Sequence, residues 1–88
     1  MAKKFENEKG FLIIKTENVD DTLKLGGLGI CDYCNKADFT GYYIAVLNAW
    51  YCEECFNDWY KRAIRYSEDI KYEEKNFNFY SFLYPELK

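Results

Sequence analysis

The 88-residue sequence contains no histidine and only one proline, and its longest apolar run is the short segment Tyr42 to Leu47. Each shortage excludes something. Without an imidazole there is no ready general base and nothing to activate a serine or cysteine nucleophile, and no paired-carboxylate signature takes its place, so catalysis is not expected. A membrane-spanning helix needs ~20 apolar residues, far more than any run here, and no signal peptide is visible, so the expected setting is cytoplasmic with no membrane partner. Positive charge is also scarce: 12 Lys and Arg stand against 15 Asp and Glu, a formal charge of −3. That is the wrong sign for general attraction to a polyphosphate, which makes nucleic acid a less expected partner than protein.

The chain is rich in aromatics, with nine Tyr, seven Phe and two Trp. They bring hydrophobic surface in large pieces, but a single domain this short buries only about 60 to 65% of its unfolded surface and calls for a staple. The stretch "ICDYCNKADFTGYYIAVLNAWYCEECFNDWYKRA" supplies one. Cys31, Cys34, Cys52 and Cys55 form two Cys-x-x-Cys pairs with seventeen residues between them. In a reducing compartment such thiols are more often metal ligands or catalysts than disulfides. Two intervening residues let one tight turn aim both sulfurs of a pair at one ion, and the long gap lets a hairpin carry the chain out and back. Four thiolates in a tetrahedron suit one structural Zn²⁺, and with no histidine the complete ligand set is already present.

Three other uses of the sulfurs compete with zinc. Disulfides within each pair would close small strained loops of the redox-active kind. A thioredoxin-like dithiol needs only one pair, at a helix start in a βαβ context that is missing here. Iron also accepts four cysteines and stays open as an alternative. Metal knuckles favour a residue tolerant of positive φ after the second cysteine; Asn35 meets this for the first pair, whereas Phe56 opens a helical pattern after the second.

Local patterns divide the chain into three pieces. Residues 1–29 form an N-terminal arm, where Phe11–Thr16 and Thr22–Gly27 flank a polar Asn and Asp cluster and are expected to pair as a β-hairpin. Residues 30–66 form the cysteine module: a knuckle, a hairpin that turns at Asn48 and Ala49, and a helix on which Phe56, Trp59, Tyr60, Ala63 and Ile64 share one apolar face. Glu53 and Glu54 near that helix's start and Lys61, Arg62 and Arg65 near its end complement its dipole. Residues 67–88 form an aromatic tail, expected as a helix over Glu68–Leu83 that stops before Pro85, with a strand over Asn76–Phe82 as the alternative.

The knuckle, hairpin and helix with ligands in its first turn resemble the treble-clef zinc finger. "CDYC" and "CEEC" have the ligand spacing of GATA-type fingers, and "AWYCEECF" is similar to the second ligand pair of LIM-type modules, which commonly use His where this chain has Cys52. The likeness covers about 35 of the 88 residues. It implies a small α+β, treble-clef fold with Cys31, Cys34, Cys52 and Cys55 as zinc ligands. The DNA-reading residues of GATA fingers do not carry over. Between Cys31 and Tyr66, Asp32, Asp38, Glu53, Glu54 and Asp58 outnumber Lys36, Lys61, Arg62 and Arg65.

Two surfaces remain as candidates. Lys61, Arg62 and Arg65 would contact phosphate if the module bound nucleic acid; the plainer reading is a solvated last turn. Trp59 and Tyr60 could stack on bases, but their helical spacing makes them core. The tail residues Phe77, Phe79, Tyr80, Phe82 and Tyr84 are too many for one buried face, so some are expected to pack on a protein partner or a second copy of the chain. The expected role is a zinc-built interaction module in a small regulatory or adaptor protein, with a nucleic-acid-binding finger as the alternative.

Overall fold

The computed structural model describes residues 2–17, 30–38, 40–82 and 84. Strands β1 (Lys3–Lys4), β2 (Ile13–Thr16), β3 (Gly41–Ile44) and β4 (Ala49–Cys52) form one antiparallel sheet in that spatial order. Helix α1 (Glu53–Arg62) continues directly from β4, and a 3-10 turn at Ser67–Asp69 leads into helix α2 (Ile70–Ser81). The result is a small α+β fold.

Register explains why β3 and β4 are apolar almost without alternation. Ile13 pairs with Ile44, Ile14 with Tyr43 and Tyr43 with Trp50, so successive residues point to opposite faces of the sheet. Both faces are covered. One carries Phe11, Ile13, Tyr42 and Ile44 against Phe56, Trp59 and Tyr60 of α1. The other carries Ile14, Tyr43 and Trp50 against Phe77 and Tyr80 of α2 and the fully buried Tyr84. Every residue of β3 is therefore buried, and after Gly41 the strand is filled by aromatic and β-branched residues, which pack well on a pleated surface. At the centre of the α1 face, Tyr42 stacks on Phe56 with ring centroids 4.0 Å apart. Burying a side chain of this size contributes about 2–3 kcal/mol.

The N-terminal arm is built into this sheet. The strand expected over Thr22–Gly27 lies outside the described residues; β2 has β1 on one edge and β3 on the other. Asn7 organises the β1–β2 loop, its amide donating to the carbonyls of Phe5 (3.1 Å) and Phe11 (2.8 Å) while its oxygen accepts from the Phe11 N–H (3.0 Å). Gly10 completes the turn at φ 79°, a conformation that glycine adopts without penalty. The neighbouring Lys9 reaches across to α1, where its ammonium donates to the carbonyls of Tyr60 and Ala63. The Tyr60 carbonyl also takes the capping N–H of Ala63 at 3.4 Å, and a cation at a helix C-terminus suits the dipole.

Two boundaries differ from the sequence expectation. The β3–β4 turn spans Ala45–Asn48, so Ala49 is a strand residue paired with Ile44 rather than a turn residue. Asn48 holds the left-handed conformation, φ 51°, and its side-chain oxygen accepts from the Tyr43 hydroxyl at 2.7 Å. Helix α1 stops at Arg62, because Ala63 is extended (φ −67°, ψ 136°). Ala63 still packs on the core, but Ile64 leaves the helical stripe and is 67% exposed.

Of the two readings of the tail, the helix is the one that forms. Its anchor is polar: Glu73, 1% exposed, accepts from the Leu12 N–H at 3.0 Å and from Arg65 at 2.8 and 3.2 Å. Asn76 adds a bond to the Ala45 carbonyl at 2.9 Å. These bonds tie α2 to Leu12, just before β2, and to the β3–β4 turn, and they fix the helix where Tyr80 meets Tyr43 at 4.5 Å between ring centroids.

Candidate metal centre

The four cysteines come from three local structures. Cys31 and Cys34 sit on a knuckle closed by the Cys31 N–H to Lys36 carbonyl bond and the Asn35 N–H to Cys31 carbonyl bond, both 2.9 Å. Asn35 makes the tight return possible by taking φ 62°. Cys52 ends β4 and is also the N-cap of α1, with φ −66° and ψ 165° and no side-chain capping bond. Cys55 follows in the first helical turn, one turn along the same face.

These elements bring all four Sγ atoms within 4.8 Å of one another, and the thiols are free. Cys31 and Cys52 are buried, Cys55 is half-buried and Cys34 is exposed. A tetrahedral ion with metal–sulfur bonds of ~2.3 Å separates its sulfurs by about 3.8 Å. The Cys34 and Cys52 sulfurs are 3.8 Å apart. The donor set thus fits a single metal ion.

The knuckle is locked to β4 by a residue whose role is not apparent from the motif. Asp32 donates its N–H to the Trp50 carbonyl at 2.9 Å, and its carboxylate accepts the Trp50 N–H at 2.9 Å. A short polar side chain inside a knuckle is the available sequence signal, since Asp readily bonds nearby backbone. The indole of Trp50 then lies over Gly41, and its Nε1–H donates to Thr16 Oγ1 at 2.9 Å. A Cβ on Gly41 would meet Trp50 Cε2 at 2.5 Å and the Tyr51 carbonyl oxygen at 2.7 Å, so only glycine fits beneath the ring.

The thiols differ in acidity. Burial raises the pKa of Cys31, but backbone hydrogen bonds from Cys34, Cys52 and Tyr33 outweigh it and bring the group down from 9.0 to about 7. The Tyr33 N–H lies 3.4 Å from the Cys31 sulfur. Burial, followed by the crowding of neighbouring cysteine sulfurs, pushes Cys55 well up; burial also raises Cys52. Four ionised sulfurs at this spacing would repel one another, and a divalent cation held among them would offset that repulsion.

The other candidate residues are dispersed. Lys61 and Arg62 are exposed on α1, with Arg62 paired to Asp58 at 3.0 Å. Arg65 lies beyond the helix and binds the buried Glu73. Of the tail aromatics, Phe77 and Tyr80 are half-buried against the sheet and Tyr84 is fully buried, whereas Phe79 (66%) and Phe82 (73%) are exposed. Among the described residues no helix is long and apolar enough to cross a membrane. No protein-family model matches the chain, and no curated protein or solved structure matches it significantly.

Proposed function

We propose that Cys31, Cys34, Cys52 and Cys55 hold one structural zinc ion in a treble-clef arrangement, and that the surface so fixed binds another protein in the cytoplasm, in a regulatory or adaptor role without catalysis. The observation that carries this reading is the convergence of four sulfurs, from two separate segments, within 4.8 Å. Zinc bound there would supply cross-linking, tying the knuckle to the junction of β4 and α1 and contributing several kcal/mol or more to folding. Four protein ligands would close the coordination sphere, which favours a structural over a catalytic ion. Zinc is favoured over iron because the two pairs are unlike, one on a knuckle and one on a helix, rather than two matched knuckles of the rubredoxin kind.

The dispersal of the basic residues supports a protein partner. Of the three cations that would make a phosphate-binding patch, Arg65 is engaged with the buried Glu73 and Arg62 has an acidic neighbour in Asp58. Purified protein is expected to carry one equivalent of zinc, to be colourless, and to lose both its fold and its captured partner on chelation or in Cys52→Ser. A metal-free chain that still unfolds cooperatively at the same temperature overturns the proposal.

A further inference from the structure

Beside Cys55 lies a groove of about 190 Å³ lined by Tyr33, Tyr51, Cys55, Asp58, Trp59 and Arg62. Helical spacing puts Cys55, Asp58, Trp59 and Arg62 on one stripe of α1. Tyr51 of β4 and Tyr33 of the knuckle form the facing wall, with ring centroids 5.9 Å apart and planes inclined at 59°. Trp59 is held in place from behind by Phe11, at 5.0 Å between ring centroids. The groove is well below the ~300 Å³ of ordinary small-molecule sites, which limits an occupant to about one side chain.

Charge narrows the choice. Arg62 and Asp58 cancel each other within the groove, leaving the tetrathiolate site at its edge, which is a dianion when it holds a divalent ion. Aromatic faces beside negative charge attract a cation. The groove already contains one: the Arg62 guanidinium donates to Asp58 Oδ2 at 3.0 Å, although both side chains are about two-thirds exposed (65% and 67%). A pair so exposed is held weakly and exchanges readily.

We propose that the groove receives an arginine side chain from a basic segment of a partner protein, stacked on the tyrosine and tryptophan rings and taking the Asp58 carboxylate in place of Arg62. Arg62 acts as an internal stand-in that the partner displaces. Arginine suits the site better than lysine because its planar guanidinium both stacks and pairs with a carboxylate in two-point fashion. This rests on the reading of the chain as a zinc-held interaction module and names the chemistry of its partner.

The test is fluorescence anisotropy of labelled tetra-arginine peptide titrated with the zinc-loaded full chain, alongside tetra-lysine and tetra-glutamate peptides. Saturable binding is expected for tetra-arginine, weaker binding for tetra-lysine and none for tetra-glutamate. Arg62→Ala frees Asp58 and should tighten tetra-arginine binding by up to about fivefold, the limit for an exposed ion pair. Asp58→Asn and Tyr33→Ala should weaken it. Glu74→Gln, the same charge change at an exposed position on α2, should leave it unchanged. Zinc content and melting temperature are measured on every variant, since all four substitutions fall at exposed side chains. The proposal is overturned if Arg62→Ala fails to tighten binding, if Glu74→Gln weakens it as much as Asp58→Asn, or if a folded, zinc-bearing wild-type chain does not bind tetra-arginine. In the last case the structural-zinc reading stands, whereas a chain without zinc removes both.

Discussion

Asp32 and Trp50 hold each other by two backbone-directed hydrogen bonds, which dock the knuckle carrying Cys31 and Cys34 on β4. In the folded chain this clamp places two of the four sulfurs that the proposed zinc would bind.

Replacing Asp32 by Ala removes the carboxylate acceptor of the Trp50 N–H. A loss of about 1–2 kcal/mol in stability is expected, together with weaker zinc binding; Asp32→Asn, which keeps an acceptor oxygen, should lose less. Thermal unfolding and competition with a calibrated zinc chelator report the two effects. Unchanged zinc affinity in Asp32→Ala would show that the knuckle does not depend on this clamp.

Zinc binding should be strongly pH-dependent. Cys31 ionises near 7, so its contribution is present at higher pH and fades as the pH falls through about 7. Cys52 and Cys55 keep their protons beyond the ordinary value of 9.0 and must release them to the metal. With at least two protons displaced around pH 8, affinity should fall by at least about a hundredfold for each unit of acidification. Calorimetry in buffers of different ionisation heat counts the protons, and a count near zero contradicts the assignment.

Gly41→Ala places a methyl group against the Trp50 indole and the Tyr51 carbonyl. The ring must move and give up its bond to Thr16, which is buried. A destabilisation of about 1–3 kcal/mol is expected, with a shift in tryptophan emission. Thr16→Val should reproduce the emission change without the clash, because it leaves the indole N–H without its partner.

Glu73→Ala should cost about 3 kcal/mol, the lower end for a broken buried ion pair because Arg65 keeps some contact with water. It strands the Leu12 N–H as well as Arg65. Hydrogen exchange should show α2 opening while α1 remains protected; equal loss of protection in both helices would mean that the two layers do not separate.

The sequence made the local elements legible and left the long-range partners hidden. Ligand spacing, the β3–β4 hairpin and the helix after Cys52 follow from patterns within a few residues of one another, whereas local pattern left the tail open between helix and strand. Glu73, in the charged run "KYEEK", looks like a solvated surface residue; its burial depends on Arg65 and on Leu12, which is 61 residues away. Lys3 and Lys4 gave no sign of a strand, because a two-residue edge exists only by pairing with β2. Gly41 looked like any residue at a strand start until the position of Trp50 on the next strand was known. At the cysteine site the four sulfurs could be named in advance, whereas Asp32 and the groove wall formed by Tyr33 and Tyr51 depend on how the knuckle lies against β4.

The placement of β2 between β1 and β3 has a practical consequence for dissection of the molecule. A fragment cut to residues 30–66 would retain every sulfur yet lose Phe11 and Ile13 from beneath α1, Ile14 from the opposite face, and the lysine that closes the helix end. Such a peptide should remain a random coil in the presence of excess zinc, and an autonomous unit should need the segment from Lys9 onwards as well as the four cysteines.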